Sequence, residues 1–119
     1  MNLNHINLVV SNVGESINFF ETYFGFKCFE VKGDNIIAIL KNEANFILVL
    51  MKSKTDEIVY PAGFHIGFFQ KDNASVNEIY THLTNGGIDV GKEPGVIRDS
   101  FGFYFMYDHC MIEVSQNDG

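Results

Sequence analysis

Two stretches decide the fold: His5-Ile6-Asn7-Leu8-Val9-Val10 and His65-Ile66-Gly67-Phe68-Phe69-Gln70. Both open on a His-Ile step and run on in strand-forming residues, and half of the 119-residue chain separates the two histidines. The segments downstream of each stretch repeat as well. The first leads into a short helical pattern and then strands that end in Phe46-Ile47-Leu48-Val49-Leu50. The second leads into another helical pattern and strands that end in Met111-Ile112-Glu113-Val114. A duplicated unit of this kind relates equivalent positions by a pseudo-twofold axis, so side chains from both halves can be gathered at one point.

Within the first half, period two places His5, Asn7 and Val9 on one strand face and Ile6, Leu8 and Val10 on the other. The run from Leu3 to Val10 is apolar enough that both faces are expected to be mostly buried. Asn12, with Glu15 three residues on, offers capping-box chemistry, and Ile17, Phe20 and Phe24 come at helical spacing before Gly25. Strands are expected over 27–32, 36–40 and 45–51. The second half repeats the plan: a strand over 63–70, a capping box from Ser75 and Glu78, and a helix stopped by Asn85-Gly86-Gly87. Strands are then expected near 88–90, over 101–107 and over 110–115, with Gly91 to Ser100 as the long irregular loop. The expected fold class is therefore α+β: two βαβββ modules forming a curved mixed sheet around a central cavity. Module one spans 1–52, a polar connector 53–61 and module two 62–119, within one domain of 1–119.

Bulk properties exclude several functions. A net charge of −7 and one arginine, Arg98, leave no basic surface for a nucleic acid. No apolar run approaches the roughly 20 residues of a membrane span, and the first residues lack the pattern of a secretory signal. Cys28 and Cys110 stand alone without a CxxC spacing, which fits a reducing, cytoplasmic setting.

Three residues then draw together as a candidate metal site: His5, His65 and Glu113. The histidines occupy equivalent strand positions, and Glu113 falls where the matching strand of module one has Leu48. A carboxylate flanked by Met111, Ile112 and Val114 is costly unless paired, hydrogen-bonded, protonated or metal-bound. Two imidazoles and one carboxylate would hold a divalent cation and leave coordination positions open for a substrate.

The βαβββ duplication, the opening Leu3 to Val10, the segment Ser16-Ile17-Asn18-Phe19-Phe20-Glu21 to Gly25-Phe26, and Phe103-Tyr104-Phe105 with Ile112-Glu113-Val114 resemble the vicinal oxygen chelate superfamily. That group includes glyoxalase I, fosfomycin-resistance thiol transferases, extradiol dioxygenases, methylmalonyl-CoA epimerase and bleomycin-resistance proteins. The resemblance implies that His5, His65 and Glu113 are metal ligands for Zn, Ni, Mn, Fe or Co. It also implies a homodimer, since such modules often complete their groove across a subunit interface. The fourth ligand of glyoxalase I maps on this reading to Leu48, which cannot coordinate, so glyoxalase I and the epimerase are disfavoured. The turn Asp108-His109 is two residues shorter than the family's usual one, which leaves the register of Glu113 to be fixed by structure.

Alternation suggests a substrate-lining set of Asn7, Phe46, Leu48, Phe69 and Met111, joined by Phe105 from the strand over 101–107. Arg98, in the irregular loop, could hold an anionic substrate group or pair with a neighbouring carboxylate. No residue stands out as nucleophile, acid or base; Cys110 and His109, adjacent on a strand, point apart. Two functions are expected to compete. One is a divalent-metal-dependent enzyme (lyase, isomerase, thiol transferase or dioxygenase) acting on a small oxygen-rich molecule. The other is a metal-free protein that sequesters a small molecule or antibiotic.

Overall fold

The computed structural model describes residues 1–117 and divides into two compact units, Met1–Val59 and Tyr60–Gly119, the boundary falling inside the polar connector. In order, the elements are β1 (His5–Val10), α1 (Val13–Tyr23), β2 (Lys27–Lys32), β3 (Ile37–Lys41), β4 (Ile47–Lys52), β5 (His65–Gln70), α2 (Asn73–Asn85), β6 (Gly95–Ile97), β7 (Ser100–Tyr107) and β8 (Cys110–Gln116). Each unit is a βαβββ module with its own four-stranded mixed sheet, ordered β1-β4-β3-β2 in the first and β5-β8-β7-β6 in the second. The repeat is thus faithful to the strand. In both sheets the opening strand runs parallel to the closing one, β1 against β4 and β5 against β8, while the remaining pairs are antiparallel.

Each helix covers one face of its own sheet. In module one Leu8, Leu40, Leu48 and Leu50 are buried with Phe19 and Phe20 of α1. In module two Phe103, Phe105, Ile112 and Val114 are buried with Val76 and Leu83 of α2. Burying a Leu or Phe side chain contributes about 1.5–3 kcal/mol, so these helix-facing rows hold each module together. The face turned away from the helix behaves differently. Along β1, His5 and Asn7 are exposed and Val9 is half-buried, so the expectation that both faces are buried holds only for the Ile6-Leu8-Val10 side.

The two helices differ in how well spacing identifies their caps. Asn12 caps α1, its side chain accepting from the Glu15 amide at 2.9 Å as expected. In α2 the cap is Asp72, which accepts from the Ser75 amide at 2.8 Å, and the helix begins at Asn73. The Ser75-Glu78 pair therefore lies inside the helix. A carboxylate at that end also meets the unpaired amides and the positive end of the helix dipole, which favours Asp72 over a serine.

Two other elements differ from expectation. Residues 88–90 form no strand, and the third strand of module two is Gly95–Ile97, inside the stretch read as irregular. Three residues after Pro94 show no alternation, so periodicity had nothing to register. The β7–β8 connection is a two-residue turn in which Asp108 (φ 46) and His109 (φ 71) are both left-handed, the type I′ form that matches strand twist. It fixes the pairing Tyr107 with Cys110 and, from there, Tyr104 with Glu113. The register of Glu113 is set by this turn.

Candidate metal and substrate site

Glu113 sits between two strands. On one side it pairs with Gly67 of β5, which places no side chain over it, and on the other with Tyr104 of β7. His65 lies two residues before Gly67 and so shares the face of Glu113. Its Nε2 approaches Glu113 Oε1 to 3.4 Å, with the two side chains 35 % and 18 % exposed. The Tyr104 ring meets the His65 ring edge-on, centroids 5.8 Å apart.

The orientation of His65 follows from its other nitrogen. Nδ1 lies 3.0 Å from the Gly63 carbonyl, which can only accept, so Nδ1 carries a proton and Nε2 is the nitrogen turned toward Glu113. Gly63 adopts φ +83 to aim that carbonyl, a conformation that glycine reaches without strain. His5 is dressed in the same way, its Nδ1 donating to Asn4 Oδ1 at 2.7 Å. Fixing Nδ1 with an oxygen acceptor is how proteins orient an imidazole for ligation through Nε2.

Hydroxyl groups complete the surroundings of the carboxylate. Ser115 Oγ donates to Glu113 Oε2 at 2.7 Å, and the Tyr104 hydroxyl hydrogen-bonds the same carboxylate. Partial burial pushes the Glu113 carboxyl up; the Ser115 and Tyr104 hydrogen bonds, with the nearby His65 and Arg98, outweigh it and hold the group below the usual value. Tyr104 moves the other way, raised by its hydrogen bond to Glu113, then by burial and the carboxylate charge, with Arg98 opposing. Both directions express one arrangement: an ionised Glu113 and a protonated Tyr104.

A cleft of about 460 Å³ opens beside this group, bordered by Phe69, Arg98, Ser100, Tyr104, Glu113 and Gln116. Arg98 stands in the two-residue β6–β7 turn with φ +52, a conformation costly for a residue of its kind. Among the described residues its guanidinium forms no ion pair, with Asp99 or any other carboxylate.

The remaining expected lining residues divide. Asn7 is exposed on the His5 face, Phe69 is 67 % exposed at the cleft, and Met111 pairs with His65 on the Glu113 face. Leu48 and Phe105 are corrections. Leu48 is 2 % exposed and pairs with Ile6, so it belongs to the core under α1, not to the His5 face. Phe46, one step before β4, has the same parity as Leu48 and leaves the His5 face with it. Phe105 pairs with Ile112 and packs against Phe103, which meets Tyr80 of α2. The residue of module one equivalent to Glu113 is Val49, paired with Asn7 as Glu113 is with Gly67. Val49 coordinates no better than leucine, so module one still offers no fourth ligand.

Spacing missed Ser115, although period two from Glu113 places it on the same face. It missed the role of Tyr104 as well. Cys110 is buried and its thiol is pushed up to about 11 by that burial and by Asp108, consistent with an inert side chain.

The sequence profile of the glyoxalase/bleomycin resistance protein/dioxygenase superfamily matches residues 2–115. The chain belongs to that superfamily. It is 34 % identical to a possible glyoxalase from Bacillus cereus, with a TM-score of 0.82 and coverage of 97 % of this chain and 98 % of that one. The fosfomycin resistance protein FosX from Listeria monocytogenes shares the fold at 17 % identity (TM-score 0.78; 98 % and 93 % covered). So does a lactoylglutathione lyase from Agrobacterium tumefaciens at 16 % identity (TM-score 0.74; 98 % and 94 % covered). A FosX variant complexed with Mn(II) and 1S,2S-dihydroxypropylphosphonic acid is also similar in fold, at 19 % identity and a TM-score of 0.73 (96 % and 88 % covered). No curated protein matches the chain.

The FosX variant of that complex holds Mn(II), and two donors of module two are spaced as such an ion would require. Metal bonds of about 2.0–2.2 Å to nitrogen and oxygen set neighbouring donors roughly 3–3.4 Å apart, and Nε2 and Oε1 stand at 3.4 Å. No group of three or more His, Cys, Asp or Glu side chains that could hold a metal forms among the described residues. Two donors are therefore assembled by module two itself.

Proposed function

We propose that this protein is a divalent-metal-dependent enzyme acting on a small, oxygen-rich and anionic molecule. The observation that carries the reading is the paired His65 Nε2 and Glu113 Oε1, each oriented by a second group, Gly63 behind the imidazole and Ser115 behind the carboxylate. His5, with its Nδ1 held in the same way, is the third ligand of this proposal, brought to the site in a homodimer. Zn, Ni, Mn, Fe and Co all accept such a nitrogen and oxygen set. When bound, the ion supplies Lewis acidity and a template for two neighbouring substrate oxygens.

The side chains around it have separable tasks. Arg98, which pairs with no carboxylate among the described residues, anchors an anionic substrate group by a two-pronged contact. Tyr104, protonated at neutral pH, keeps one hydroxyl proton within the site and holds it toward Glu113. Phe69 presents an apolar wall to the substrate at the rim of the cleft. With no carboxylate or amide at Val49, a three-ligand set favours transferase, lyase or dioxygenase chemistry over a four-ligand isomerase.

A second reading has its own observation. Glu113 already receives two hydroxyl hydrogen bonds and lies beside His65, so its charge is compensated without a cation. A metal-free binding protein would use the same cleft. Elemental analysis of the full chain after growth with added Zn and Mn separates the two. The enzyme reading expects close to one ion per chain in the native protein and its loss in Glu113→Gln and in His5→Ala. Native protein without metal under those conditions overturns it in favour of sequestration.

A further inference from the structure

Resting on the metal reading above, we propose that Ser115 is a positioning residue which locks the Glu113 carboxylate so that a single oxygen, Oε1, faces the ion. The two carboxylate oxygens are already unlike each other. Oε2 receives the Ser115 hydroxyl at 2.7 Å, while Oε1 stands 3.4 Å from His65 Nε2. Ser115 is 1 % exposed, one of two buried polar residues among those described, so water cannot take over its bond. A buried hydroxyl without its partner costs about 1–3 kcal/mol, which makes the pairing of Ser115 with Glu113 mutual.

The strand neighbours show how the position is built. Ser115 is flanked by Phe69 on β5 and Gly102 on β7. Gly102 is required there: a Cβ would collide with the Val114 carbonyl oxygen and stand 2.8 Å from Ser115 Cβ, both too close to tolerate. The missing side chain lets β7 press against Ser115, whose hydroxyl points along the strand to Glu113. In module one the equivalent residues are Ile37 and Met51, which offer neither the gap nor the hydroxyl. Tyr104 reaches the same carboxylate but is half-buried, so water can replace its hydroxyl; Ser115 is the less replaceable partner.

A ligand held by one oxygen keeps a coordination position free that a carboxylate chelating through both oxygens would occupy. Ser115 thereby preserves room for a second substrate oxygen. The groups that support a ligand from behind typically change metal affinity about 10–100-fold.

The test uses the full chain and two readouts. Calorimetric titration of Zn(II) should show Ser115→Ala weaker by about 10–100-fold, Tyr104→Phe weaker by less, and Ser115→Thr restored toward the native value. In the metal-free protein, three-bond couplings of the Glu113 side chain should report one rotamer in the native chain and averaging in Ser115→Ala. Unchanged couplings in Ser115→Ala overturn the positioning role, whatever the metal does. Averaged couplings in a protein that takes up no Zn(II) uphold the positioning of Glu113 and overturn the metal reading instead. Should Ser115→Thr fold poorly against Gly102, Ser115→Cys supplies a smaller and weaker donor and is expected between Ala and the native residue.

Discussion

Where β8 carries Glu113, β4 carries Val49, and the neighbours differ in the same sense. Around Glu113 stand Tyr104, Gly67 and Ser115; around Val49 stand Ile39, Asn7 and Met51. The first, last and third strands of the two modules coincide pair for pair, including the parallel register that sets His5 against Ile47 and His65 against Met111. Duplication therefore supplied two equivalent open faces, and only module two holds hydroxyl groups able to keep a carboxylate ionised and aimed. Module one keeps the histidine alone. A site is made by the support around a ligand as much as by the ligand.

Moving the carboxylate is the strongest way to break this comparison. The double change Val49→Glu with Glu113→Val preserves charge and strand symmetry but leaves the new carboxylate among Ile39 and Met51 without a hydroxyl donor. Since losing a supporting group alone costs about 10–100-fold, Zn(II) affinity should fall by more than ~100-fold in a calorimetric titration. Native affinity in the swapped chain would mean that symmetry alone defines the site.

A core substitution sharpens the comparison within module one. Leu48 and Val49 are adjacent in sequence but face opposite sides of the sheet. Leu48→Ala should cost about 2–5 kcal/mol in urea unfolding, as large-to-small changes in a packed core do, whereas Val49→Ala, half-buried, should cost about 1 kcal/mol. Equal costs would contradict the pairing of Leu48 with Ile6.

That pair also shows what the sequence could and could not reveal. The repeat, the helices and most strands are legible because alternation, caps and turn residues recur at the same offsets in both halves. His65 and Glu113 are legible because each interrupts an apolar strand, and Arg98 because it is the chain's single arginine. Ile47 to Met51 is apolar at every position and has no phase of its own; only the partner strand fixes it, which is why alternation alone puts Leu48 on the wrong face. Phe105 falls to the same ambiguity between two aromatic faces. Ser115 carries no signal beyond its parity, since a serine near a chain end is ordinarily an exposed residue.

Acid titration gives the smallest effect and separates the modules by charge. Glu113 is held below its ordinary value of 4.5 even though partial burial pushes it up, because Ser115, Tyr104, His65 and Arg98 together outweigh that burial. A carboxyl group lowered by folding binds fewer protons in the folded chain than in the unfolded one, so stability rises with pH across this range. Its contribution is complete above the unfolded value and disappears as pH falls through the lower folded value. The stability difference between the native chain and Glu113→Gln, from urea unfolding of the metal-free protein, should therefore be greatest above about pH 5. It should shrink steadily below 4.5. Val49→Gln, at a position that carries no carboxylate of its own, should show a difference that stays level over the same range. A level difference for Glu113→Gln, or one that grows on acidification, would show that the hydroxyl groups of module two do not favour the ionised carboxylate, and the contrast between the modules would lose its electrostatic basis.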